Sequence, residues 1–111
     1  MTRLHSFQDD KRGCYANVRM SNGDPCWIGV AQTGVIVKKS RIGLFGAKLY
    51  DESRIFEAAN DAEWLANRYP NQLVPDDMTS PVLAAFTNAV LQCETLVEVV
   101  STLNGRTRAA G

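Results

Sequence analysis

The hydrophobic pattern of this chain changes its period once, near Asp51. Before that point, apolar and polar residues alternate over short runs, as they do in half-buried β-strands, and glycine-containing turns separate the runs. After it, apolar residues recur at steps of three and four, which is the spacing of one face of an α-helix. This order predicts an α+β fold in which an antiparallel sheet comes first and helices pack on it.

The first half predicts four or five antiparallel strands with short links, in a strongly curved sheet or a partly open small barrel over about residues 13–57. Asn22-Gly23 favours a type I′ hairpin turn, and Gly34 supplies the left-handed position of a second turn. The β-branched run that follows Gly34 favours a strand. The expected strands cover about residues 14–20, 26–31, 35–37, 44–50 and 54–57.

The second half predicts two helices packed on the sheet. Asn60 begins a sequence typical of a capping box, so the first helix is expected over about 61–69. Ser80 followed by proline is typical of an N-cap, which predicts a long last helix over about 81–103 that Gly105 closes.

The long helix also bears on self-association. Its apolar residues are spaced alternately four and three residues apart and form one broad stripe along the helix. Packing on a single sheet would cover this stripe. Leu91 and Val99 fall outside the centre of that stripe. We therefore expect them to form the interface of a homodimer, since an exposed apolar patch on a small domain marks an interaction surface.

Size and composition limit the class of protein. The chain has 111 residues, 45% hydrophobic and 22% charged, as expected for a single globular domain over 1–111. No apolar run is long enough to span a membrane, and the polar stretch 1–12 is unlike a signal peptide. Cys14, Cys26 and Cys93 are odd in number and widely spaced, which argues against a disulfide framework. We expect a cytoplasmic protein with no membrane partner.

No motif indicates a specific chemistry. The lone histidine, His5, is expected in a frayed N-terminus, and no cysteine pair has the spacing of a zinc site, so neither a metal nor a cofactor is predicted. Asp9-Asp10 and Asp76-Asp77 are most simply turn or capping residues. A small enzyme stays open as an alternative, with Asp76, Asp77 or a cysteine in a pocket beside a second polar group.

The charges are divided along the chain although the net charge is zero. Residues 1–50 hold eight basic and three acidic residues, a net charge of +5. Residues 51–105 hold two basic and nine acidic residues, a net charge of −7. The division therefore follows the change from strands to helices.

Two binding sites follow as hypotheses. The first is a small-ligand site where the sheet meets the helices, lined by Trp27, Arg41, Tyr50 and Trp64, because concave, aromatic-lined sites with one charge are typical ligand pockets. The alternative is single-stranded nucleic-acid binding through a basic patch on the sheet with nearby aromatic rings. That patch consists of Lys38, Lys39, Arg41 and Lys48. The neutral net charge argues against the alternative.

The segment over residues 35–50, VIVKKSRIGLFGAKLY, resembles a stretch found in small bacterial proteins of uncharacterised function that are carried on mobile integron gene cassettes. The resemblance implies a bacterial, cytoplasmic accessory role. It carries no catalytic motif and assigns no functional residue.

Overall fold

A computed structural model describes residues 1–31, 34–38, 46–48, 55–99 and 101–103. Its strands are β1 (Arg3–Asp10), β2 (Gly13–Arg19), β3 (Pro25–Ala31), β4 (Gly34–Lys38) and β5 (Gly46–Lys48). They form one antiparallel sheet in chain order. Helix α1 covers Ile55–Arg68 and helix α2 covers Pro81–Leu91. Residues 96–99 and 101–103 are helical again and are called α3. The predicted α+β class, an antiparallel sheet followed by helices, is confirmed.

The pairing register gives the sheet two different faces. Ala16 of β2 lies opposite Ile28 of β3, which lies opposite Val37 of β4, and all three side chains are buried. Helix α2 packs on β2 and β3, while α1 packs on α2 and β4. Since successive strand residues point to opposite faces, this side is the core face and the other is the outer face.

The first predicted turn forms a hairpin with a different geometry, while β3 and β4 pair as far as Ala31 and Gly34 around the second, whose residues 32 and 33 lie outside the described part of the chain. Gly23 and Gly34 have positive φ values of 94° and 120°. Asn22, however, keeps a negative φ, because among the described residues only these two glycines have a positive one. The Gly23 N–H donates to the Met20 carbonyl (2.9 Å), which closes a four-residue turn over residues 20–23. In this turn only Gly23 has a positive φ. The predicted type I′ turn is therefore wrong, although the hairpin is formed.

Strand β1 was not expected from the sequence, and its presence corrects the frayed N-terminus predicted around His5. The strand pairs with β2 from Arg3 to Asp10. Its register shifts between Leu4 and Ser6. Leu4 and Phe7 both pack against the core. An inserted residue at His5 thus hides the period of two that would have revealed a strand.

The strand predicted over 54–57 is also wrong, because α1 begins at Ile55. Residue 54 itself lies outside the described part of the chain. Asn60, expected to precede the first helix, lies in its interior. Good helix formers such as Ala58 and Ala59 precede Asn60, and their propensity outweighs the local capping signal.

The long helix predicted over 81–103 is interrupted at residues 92–95. Its start is as predicted, with the Ser80 hydroxyl accepting from the Leu83 N–H. At the break, Thr95 begins α3, because its hydroxyl accepts the Glu98 N–H (3.3 Å). The Glu98 carboxylate in turn accepts the Glu94 N–H (2.6 Å). The Thr95-x-x-Glu98 spacing is a capping signal that the regular apolar stripe concealed. Gly105 lies outside the described residues.

The break changes which residues of the last helix are buried. Leu91 and Val99 are 8% and 1% exposed within the single chain, whereas Val97 is 77% exposed. In α3 the buried residues are Leu96, Val99 and Leu103, at helical spacing but in a new phase. The prediction that Leu91 and Val99 form a dimer interface is therefore corrected, since the chain's own core covers both.

Two polar contacts tie β1 to the helices. The Thr2 hydroxyl, just before β1, donates to the Cys93 carbonyl (2.6 Å) and accepts the Ser21 N–H (3.0 Å). At the other end of β1, the Asp9 carboxylate accepts the N–H groups of Thr79 (2.6 Å) and Ser80 (2.8 Å). One contact lies at the helix break and the other at the start of α2, so β1 positions the helical layer at two points.

Replacing Thr2 with valine should lower the free energy of unfolding by about 1–3 kcal/mol, because the Cys93 carbonyl loses its buried donor and the Ser21 N–H keeps only the Glu94 carbonyl (3.2 Å). Urea denaturation followed by circular dichroism measures this. Thr2→Ser keeps the hydroxyl and should lose much less. Equal losses in both variants would contradict this role of the hydroxyl.

Replacing Asp9 with alanine should cost about 1.5–3 kcal/mol, since hydrogen bonds to a charged acceptor are lost at the start of α2. Asp10→Ala is the matched control, because the neighbouring carboxylate accepts from the exposed Arg12 N–H in the β1–β2 turn. Urea unfolding at pH 7 compares them. A loss in Asp10→Ala as large as that in Asp9→Ala would refute the assignment.

Candidate nucleic-acid interface

The outer face of the sheet carries its residues in rows, because each antiparallel pair places two side chains next to each other. The first row contains Arg3, Arg19 and Pro25. The second contains Ser6, Asn17, Trp27, Lys38 and Gly46. The third contains Gln8, Tyr15, Gly29, Ile36 and Lys48. Beyond it, Asp10 pairs with Gly13.

Two aromatic rings meet at the centre of this face. The ring centroids of Tyr15 and Trp27 are 6.0 Å apart, with an angle of 31° between the ring planes. Gly29 makes room for the indole, since a Cβ at this position would lie only 2.1 Å from Cη2 of Trp27. Both rings are half-buried. Together they form a joined aromatic surface whose position depends on a glycine.

Polar side chains on β1 and β2 hold one another in place beside the rings. The Tyr15 hydroxyl donates to Gln8 Oε1 (3.1 Å), and the Asn17 amide donates to Ser6 Oγ (3.0 Å). The Gln8 amide donates to the Asp10 carboxylate (3.0 Å). This bond, together with the Arg12 N–H, lowers the pKa of Asp10 below its usual value of 3.8. These hydrogen bonds therefore link the polar side chains of β1 and β2 to one another beside the rings.

Basic residues outnumber acidic ones on this face. Four basic residues, Arg3, Arg19, Lys38 and Lys48, occupy outer-face positions of the described strands, where Asp10 is the one acid. The register thus brings Lys38 and Lys48 of the predicted basic patch to the same face as the aromatic pair. Lys39 and Arg41 of that patch lie outside the described residues.

The two arginines were missed in the sequence, for different reasons. Arg19 has a detectable signal, since it alternates with Tyr15 and Asn17 along β2 and so shares their face. Arg3 has none, because β1 itself was not recognised. Only the pairing of Arg3 with Arg19 reveals that both belong to this face.

The predicted small-ligand pocket is not assembled as expected. Trp27 lies on the outer face, whereas Trp64 of α1 packs against the core on the other side of the sheet. Trp64 instead neighbours Arg68, whose guanidinium carbon lies 5.6 Å from the centroid of its ring. Arg41 and Tyr50 lie outside the described residues. The sheet therefore separates the two tryptophans that the pocket required on one side.

The cysteines are poorly suited to nucleophilic chemistry. Burial raises the pKa of Cys26 to about 12 and that of Cys93 to about 11. Burial also raises the pKa of the half-exposed Cys14 thiol. Since the thiolate is the reactive form, these shifts keep the thiols predominantly protonated near neutral pH.

The carboxylates outside the outer face differ in exposure, and they do not assemble into a metal site among the described residues. Asp76 and Asp77 are exposed in the loop between α1 and α2. Asp61 is buried within α1, at 2% exposure, where the sequence predicted a first-turn residue. In the described part of the chain, no three His, Cys, Asp or Glu side chains come together as a metal site would require.

No protein-family model, curated protein or solved structure matches this chain. Among the helices that the structure describes, none has the length and apolar character needed to cross a membrane.

Gly29→Ala should displace the indole of Trp27, because the added methyl group takes its place on the sheet. In a Trp64→Phe background, where Trp27 is the remaining tryptophan, its fluorescence should shift to longer wavelength as the ring enters water. Gly13→Ala is the control, since its Cβ would meet Tyr15 at an ordinary 3.5 Å. An unchanged emission spectrum in Gly29→Ala would contradict the packing described.

Proposed function

We propose that the outer face of the sheet binds single-stranded nucleic acid. The observation that carries the proposal is the Tyr15–Trp27 aromatic pair, placed by the register among Arg3, Arg19 and the Lys38 and Lys48 positions. The described helices pack on the other face and leave this one to a ligand.

The aromatic pair supplies a stacking surface. Every nucleobase has a π-face, so unpaired bases stack on Trp and Tyr rings with little dependence on sequence, at about 1–3 kcal/mol per base. Two neighbouring rings whose planes differ by 31° offer positions for two successive bases. Gly29 supports this role, because it allows a large ring to lie directly against the sheet.

The basic positions supply the charge that a phosphate backbone requires. Arg3 and Arg19 lie on one side of the aromatic pair, and the Lys38 and Lys48 positions lie on β4 and β5 on the other. A nucleic-acid strand that crosses the rows of the outer face would therefore contact basic residues on both sides of its stacked bases. Neutralising phosphates in this way releases counterions, which makes affinity depend on salt.

The neutral net charge of the chain is compatible with this proposal. The excess of acidic residues falls in 51–105, the part that supplies the helices. These helices pack on the core face, so the sheet separates much of the negative charge from the outer face. The binding of a phosphate backbone depends on the local electrostatic potential of the surface that it approaches, not on the net charge of the protein.

A single strand fits this surface better than a duplex. The bases of a duplex are stacked on each other, and its major groove admits an α-helix or a two-stranded ribbon, not the broad face of a sheet. A single strand exposes the base faces that rings can contact. The same combination of sheet, aromatic rings and cations holds single strands in other small β-domains.

Fluorescence anisotropy with a labelled 12-nucleotide single strand tests the proposal. With four phosphate contacts, affinity should fall roughly 50-fold between 50 and 200 mM salt, since the slope for single strands is about −0.7 per contact. Trp27→Leu should weaken binding by about 1–3 kcal/mol through the loss of one stacked base. A Lys38→Ala/Lys48→Ala double variant should weaken binding and flatten the salt dependence.

Matched controls identify the surface. Lys11→Ala removes an exposed positive charge in the β1–β2 turn, away from the aromatic rows, and should bind almost as the wild type does. Trp27→Phe keeps a stacking ring and should retain more affinity than Trp27→Leu. Circular dichroism confirms that each variant is folded. Absence of binding at 50 mM salt, or equal binding by Trp27→Leu and wild type, would refute the proposal.

A further inference from the structure

An arginine pair lies at one end of the outer face. Arg3 of β1 and Arg19 of β2 are direct partners in the antiparallel ladder, and both are exposed. The next position across the sheet is Pro25, so among the described ladder positions no carboxylate lies beside either arginine. Like charges opposite each other on a sheet are destabilising, and an anion between them would relieve the repulsion.

The two arginines line a cleft. Its volume is about 670 Å³, and the β2–β3 turn forms one side. Arg19 is partly fixed there, because its Nη1 donates to the Gly23 carbonyl (2.9 Å) and leaves its other N–H groups for a ligand. The remaining lining residues are Met1, Met20, Ser21 and Gly23.

We infer that this cleft binds a phosphomonoester, the terminal phosphate of the bound strand. The inference rests on the proposed function and adds that strands with a phosphorylated end are preferred. A monoester carries about −1.5 to −2 charges at pH 7, whereas each phosphate inside the strand carries one. Two facing arginines match the charge of the monoester, and their planar guanidinium groups suit its oxygens.

The position of the cleft relative to Trp27 supports a terminal site. Adjacent rows of one face are two residues apart along a strand, or about 7 Å. Arg19 lies one such row beyond Asn17, the ladder partner of Trp27. A nucleotide whose base stacks on Trp27 would therefore have its own phosphate within reach of the arginines. The turn at Ser21–Gly23 lies just beyond them, so the nucleic-acid strand would end at this cleft.

Competition binding tests the inference. Unlabelled 12-nucleotide strands with a 5′-phosphate, a 3′-phosphate or hydroxyl groups at both ends compete against a labelled strand at 100 mM salt. One of the phosphorylated strands should compete about tenfold or more better than the hydroxyl strand, the gain expected from added charge-assisted hydrogen bonds. In an Arg3→Gln/Arg19→Gln variant this preference should disappear, and the phosphorylated and hydroxyl strands should bind with equal, weaker affinity, because two basic positions of the outer face are lost. Lys11→Gln should keep the preference.

A second arm separates a terminal phosphate from a free one. Inorganic phosphate at millimolar concentration should shift the amide NMR signals of Ser21 and Gly23 in wild type, and not in the arginine double variant. Equal competition by all three strands would overturn the inference while leaving the proposed function intact. Binding of inorganic phosphate without preference for a phosphorylated strand would also overturn it. Failure of every strand to bind would refute the proposed function itself.

Discussion

Antiparallel pairing in register is the constraint on which the rest of this structure depends. Because side chains alternate along a strand, a slip of one residue would turn Ala16 and Ile28 outward and carry Trp27 into the core. The burial of the apolar set on one face resists such a slip. The same register therefore builds the core that holds the helices and the aromatic, basic surface on the other side.

Strand β1 connects the two layers and also contributes to the proposed site. Thr2 and Asp9, near its two ends, bond to the helix break and to the start of α2. Arg3 and Gln8 of the same strand belong to the outer face. An edge strand with few apolar residues thus gains stability from polar contacts with the helical layer, and its other side chains face outward.

Local signals predicted part of the fold. The alternation in β2, the β2–β3 hairpin and the Ser80 N-cap each depend on a few neighbouring residues, and each was found as expected, apart from the type of the hairpin turn. The interruption at residues 92–95 could not be found in the same way, because a regular apolar stripe continues through it. The Cys93 and Glu94 carbonyls leave the helical pattern to bond Thr2 and Ser21, residues that are distant in the chain.

The sequence by itself determined the α+β class and the basic, aromatic character of the first half. Only the tertiary structure decided which residues share a face, separating Trp27 from Trp64 and pairing Arg3 with Arg19. The physical reason is that a local pattern specifies which side of its own strand a residue occupies, whereas register and packing between distant segments decide what lies beside it.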